Sequence, residues 1–149
     1  MTDTPMGKPQ EPAEPRLRQH PAERFAKPVI AIDLKDVADR LRVEPGAGED
    51  GHRQESLYSF GGYTAALFVF GKFTRLREHK AKGVVSIHVL KGLMKVTAGD
   101  EVHEMHGGQI LMLAPGVLHS LAALDESEVL VSVNLGAAPG GPQPGAVKG

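Results

Sequence analysis

"VVSIHVLKGLMKVTAGDEVHEMHGGQILMLAPG" (84–116) is a run of short apolar alternations, each cut off by glycine, aspartate or proline. Val85, Ile87 and Val89 alternate with Ser86 and His88, and Gly92 ends that segment. "LMKVTAG", "DEVHEM" and "GGQILMLAPG" repeat the plan. Alternation with a period of two is the mark of a strand with one buried face. Several such strands at 8–12 residue spacing predict an all-β sandwich or barrel.

Working outward, "SEVLVSVNL" (127–135) adds a strand, and "ESLYSF" joined by "GG" to "YTAALFVF" predicts a hairpin. Ahead of it, "DLKDVADRLRV" (33–43) places Leu34, Val37, Ala38 and Leu41 at helical spacing behind Asp33 as N-cap, a helix expected to be weakly attached. "EPGAGEDGH" (44–52) is a loop. Its G-x-G-x-x-G at Gly46, Gly48 and Gly51 has no strand before it and no helix after it, so it does not predict a dinucleotide site. The sequence shows no internal repeat.

The chain has 149 residues, enough for one domain. Residues 1–28 hold six of its eleven prolines amid charges and are expected to form a disordered arm. The expected division is then a helix and loop over 29–54, a barrel over 55–135, and a Gly/Pro-rich disordered tail over 136–149. A net charge of −1 gives no general attraction to nucleic acid or membranes. Aromatics are too sparse for a stacking platform, so neither nucleic acid nor membrane is an expected partner. No cysteine is present, which leaves histidine and carboxylate as the available metal ligands. The N-terminus lacks the apolar core of a signal peptide and "AALFVF" is too short to span a bilayer, so a cytoplasmic protein is expected.

Two stretches carry a family resemblance. "GGQILMLAPGVLHSLAAL" (107–124) has a glycine followed at fixed distance by P-G and then by His119; "EHKAKGVVSIHVLKGLMKV" (78–96) has His79 ahead of a strand ending in V-L-K-G. Over residues 55–135 the chain resembles the small single-domain cupins. The resemblance implies a double-stranded β-helix, two antiparallel sheets closed into a small barrel around a ligand cavity. It also implies four metal-ligand positions, which fall here on His79, Ala81, Val85 and His119. Two of the four have lost their ligand, and the family's asparagine after the last histidine is Ala123. Three protein ligands are the usual minimum for a catalytic divalent metal. His88 is the possible third, but its strand parity points it away from Val85 unless a bulge intervenes. Glu78 is also of the wrong parity.

The reading that results is a small-molecule-binding barrel with a vestigial metal site and no cofactor. His79, His119 and Arg77 are its ligand-binding residues, and its ligand is anionic because histidine titrates near neutrality. The basic run Lys72, Arg75, Arg77, Lys80, Lys82 would steer that ligand toward the mouth. One alternative is a metal-dependent enzyme of the dioxygenase or isomerase type, holding Fe, Mn, Ni, Zn or Cu on His79, His119 and a rearranged third ligand. Another is a dimeric interaction module. His103 and His106 are expected to be solvated, and no role falls to His20 or His52. Exposed sheet edges and the apolar "YTAALFVF" predict a homodimer.

Overall fold

The structure, a computed structural model, describes residues 28–45 and 51–136. The expected N-terminal arm up to residue 27, Gly46 and Gly48 of the loop, and the tail beyond 136 lie outside the described residues. The described residues from Ala31 onward belong to one compact unit.

Helix α1 spans Leu34–Val43, and the Asp33 side chain accepts a hydrogen bond from the Asp36 N–H at 3.1 Å as N-cap. It stops because Glu44 precedes Pro45 and takes an extended conformation, as a residue before proline prefers. Val37, Ala38 and Leu41 pack on Leu57, Leu67 and Val69 of the sheet beneath. Two ion pairs at 2.6 Å, Arg40 to the buried Glu55 and Arg42 to Glu128, tie the helix down as well. The expectation of a weakly attached helix is therefore corrected. Its apolar stripe was legible, but the charged residues that anchor its flank have partners 15 and 86 residues away.

Nine strands follow among the described residues: β1 (His52–Phe60), β2 (Tyr63–Phe70), β3 (Arg75–His79), β4 (Val84–Lys91), β5 (Leu93–Ala98), β6 (Glu101–His106), β7 (Gln109–Leu113), β8 (His119–Ala123) and β9 (Ser127–Asn134). The first begins at His52, inside the stretch expected to be loop. β1-β2-β9-β4-β7 form one antiparallel sheet and β3-β8-β5-β6 the other. Their inner faces enclose a core that includes Phe68, Phe70, Val85, Ile87, Val89, Met94, Val96, Leu121 and Val129. This is the all-β double-stranded β-helix that the sequence predicts, preceded by one short helix. No helix among the described residues is long and apolar enough to cross a membrane.

Strand β3 was hidden in the sequence. "RLREH" shows charge where a buried strand would show alternation, because β3 is an edge strand with one neighbour and exposed arginines. Its register on β8 pairs Leu76 with Leu121 but His79 with His119, so three steps along β3 match two along β8. That bulge puts Leu76 against the core and still brings His79 to the inner partner His119.

Candidate functional site

Both histidines expected at the site meet. His79 ends β3 and His119 opens β8, and the pairing of these strands sets their rings 4.3 Å apart between centroids and 60° out of parallel. Each ring is fixed by the same local device. His79 Nδ1 donates to the Arg77 carbonyl at 2.9 Å, and His119 Nδ1 donates to the Val117 carbonyl at 2.9 Å. A carbonyl only accepts, so each Nδ1 carries the proton. In the neutral ring, Nε2 is then the nitrogen with the free lone pair. Protonation would turn either Nε2 into a donor to an anion.

His119 is 2% exposed and His79 is exposed. Burial holds the His119 pKa below its ordinary value of 6.5, reinforced by the charge of His79 and partly offset by the hydrogen bond to Val117. A histidine depressed in this way favours the folded state above its ordinary value. That contribution is lost as pH falls through the lowered one.

The loop and turn beside the pair bring together the two stretches that carry the resemblance. Gly116, at φ +84°, donates its N–H to the Ala81 carbonyl at 2.8 Å. Here glycine serves a backbone conformation that other residues rarely adopt. Ala81 and Val117 pack against the core, and Val85 is 2% exposed within it.

Arg77 contributes its backbone oxygen, which orients His79. His88 lies on the outer face, opposite Leu130 and Ile110, while Val85, Ile87 and Val89 are buried on the inner one. The register from Val85 to Val89 contains no bulge that would turn His88 inward. Glu78 is exposed beside the β3 bulge. The basic run does not form a collar at one end. Lys80 and Lys82 follow His79 into the β3–β4 loop. Lys72 lies at the other end of β3, 5.2 Å from the ring centre of Phe73.

Two histidines read as uninvolved or solvated take part in the inner surface. His52 packs on Phe68 and Phe70, with ring centroids 5.7 and 5.5 Å away, and its Nδ1 donates to the Arg75 carbonyl at 3.0 Å. His103 pairs in register with Val96 on the inner face and is held by Glu101 at 2.8 Å. Its alternation with Met105 in "EVHEM" was the signal available.

Two antiparallel sheets facing each other across an apolar core make a double-stranded β-helix. No family model matches the chain, and no curated protein matches it. Solved structures do. A conserved protein of unknown function from Streptococcus pyogenes superposes with a TM-score of 0.60 at 20% identity, over 75% of this chain and 92% of that one. A cupin superfamily protein from Desulfitobacterium hafniense gives 0.56 at 19%, over 60% and 83%. Salicylate 1,2-dioxygenase from Pseudoaminobacter salicylatoxidans gives 0.59 at 12%, over 67% of this chain and 31% of that one. The fold is that of the cupins.

A metal is the group this fold implies, and the residues present do not fit one. Two of the four family positions are Ala81 and Val85, both against the apolar core. Among the described residues no three His, Cys, Asp or Glu side chains gather as a metal-holding group. What remains is a pair of imidazoles in contact, each with its Nδ1 hydrogen-bonded to a backbone carbonyl.

Proposed function

We propose that this protein binds a small anionic organic molecule at His79 and His119, without a resident metal. The observation that carries the reading is the committed pair of Nδ1 atoms on two touching rings, which leaves two Nε2 atoms for one ligand. An anion beside them raises their proton affinity, so binding takes up a proton. Affinity should therefore rise as pH falls from 8 to 6, while the ligand-free protein loses stability over the same fall because His119 resists charging. Opposite trends in one experiment distinguish this site from a general acid effect.

Small carboxylic acids screened by thermal shift at both pH values test it. His79→Ala and His119→Gln should each weaken binding at least tenfold, and His88→Ala, on the outer face, should leave it unchanged. If no acid stabilises the wild type at either pH, the reading fails. It also fails if protein purified without a His-tag holds about one metal per chain that His79→Ala releases.

We propose that the protein works as a homodimer through the outer face of the β1-β2-β9-β4-β7 sheet. Helix α1 covers the β1–β2 half of that face, while Val84, Ile110 and Met112 stay exposed on β4 and β7. Exposed large apolar side chains sharing one sheet face are a common site of association. Light scattering at micromolar concentration should report a dimer, and Met112→Lys a monomer. A wild-type monomer refutes the assembly.

A further inference from the structure

Strand register places an acidic group across from the histidine pair. His79 pairs with His119, His119 with Ala98, and Ala98 with Glu101, so the four form one transverse row across the sheet. Directly paired residues of antiparallel strands point to the same face. Ala98 belongs to the enclosed core, and the next inner positions along β6, His103 and Met105, pair with the core residues Val96 and Met94. Glu101 therefore starts from the inner face of the sheet, although its side chain is mostly exposed at the rim.

Three features separate this group from an ordinary surface acid. His103 Nε2 holds the Glu101 carboxylate at 2.8 Å, from the same face of the same strand. The residue between Glu101 and His119 is alanine, so no long side chain divides them. The Gly99 N–H donates to the Leu118 carbonyl at 2.8 Å, which fastens the β5–β6 turn beside the strand that carries His119. Neighbouring strands are about 4.8 Å apart, so the backbones at His119 and Glu101 lie roughly 10 Å from each other. The row thus has an anion-binding pole and a cation-binding pole, separated by a span that a few methylenes can cross.

We propose that the ligand of this site is a small zwitterion, with its carboxylate or other anionic group at His79 and His119 and an ammonium or guanidinium group at Glu101. The inference rests on the anion-binding reading above and specifies the other end of the molecule. Carboxylate recognition of a cation adds a charge-assisted hydrogen bond that a simple acid of equal length cannot make.

The test uses unbranched ω-amino acids with two to six methylenes, each matched with the monocarboxylate and the dicarboxylate of the same length. Calorimetry at pH 6.5 measures their affinities for wild type, Glu101→Gln, Glu101→Lys and His119→Gln. In the wild type, one length of amino acid should bind at least tenfold more tightly than its monocarboxylate. Glu101→Gln should abolish that preference without changing monocarboxylate affinity, and Glu101→Lys should transfer it to the dicarboxylate. Glu101 is at the rim, so its variants should melt like the wild type without ligand. Monocarboxylates that bind through His119 as well as every amino acid does would overturn the zwitterion alone. No binding by any of the three series would overturn it together with the anion-binding reading.

Discussion

Replacing Gly92 with alanine should remove more than about 3 kcal/mol of stability, enough to leave much of the protein unfolded at 37 °C. Gly92 is the single residue between β4, in one sheet, and β5, in the other, so the chain changes sheets there. It does so at φ +102°, a conformation that residues with a side chain rarely adopt. Space is lacking too. A Cβ at Gly92 would collide with the Ser127 hydroxyl and the Glu126 carbonyl, and would stand 2.6 Å from the Ser127 Cα. None of these can swing aside. Ser127 is fully buried; its hydroxyl accepts from the Leu93 N–H at 3.0 Å and donates to the Asp125 carbonyl at 2.8 Å. The corner is locked by backbone on one side and a satisfied buried hydroxyl on the other. Gly99→Ala is the control: φ there is +60°, with nothing within 4 Å of an added Cβ, so the expected loss is about 1 kcal/mol. Urea denaturation of the three proteins measures both. A Gly92→Ala variant within 1 kcal/mol of the wild type would show that the corner can relax, which this packing does not allow.

That glycine also shows what a sequence can disclose. The end of a strand in V-L-K-G was visible because the constraint is local: one residue must turn the backbone where no side chain fits. The alternations of β4, β5 and β9 were visible for the same reason, since each is buried on its inner face. The site was legible only through the resemblance. His79 and His119 are forty positions apart, and only the pairing of β3 with β8 brings them together. Arg77 was expected among the ligand-binding residues, and its carbonyl has a further part that the sequence did not signal, orienting His79. Backbone groups are the same in every residue, so no residue type signals that role. Glu101 escaped notice because a transverse row draws one residue from each of several strands. It can be read only once the register is known.

Val85→Glu should be the most damaging change on the inner face, at about 3–5 kcal/mol near pH 7. In the family this position carries a carboxylate that faces a metal. Here Val85 is 2% exposed, pairs with Leu113 and Val133, and belongs to the apolar core. A glutamate there would stay charged only by giving up its hydration, because the core side chains around it are apolar and offer no compensating charge. The carboxyl would therefore keep its proton, and its folded-state pKa would rise above the unfolded value near 4.3. A carboxyl raised in this way weakens the fold progressively as pH climbs from about 4.3 toward that higher value. Val85→Gln, which has similar bulk and no charge to lose, should be nearly independent of pH and less harmful at pH 7. Thermal melts of the two variants from pH 5 to pH 8 should thus diverge as pH rises, with Val85→Glu falling away. If instead the inner face at Val85 were wet and open to His119, the new carboxylate would pair with a protonated imidazole. The variant would then lie within about 1 kcal/mol of the wild type, and the His119 proton resonance would titrate above its ordinary pKa. That result would mean the family's ligand position is still an open site and has not been closed over by the core.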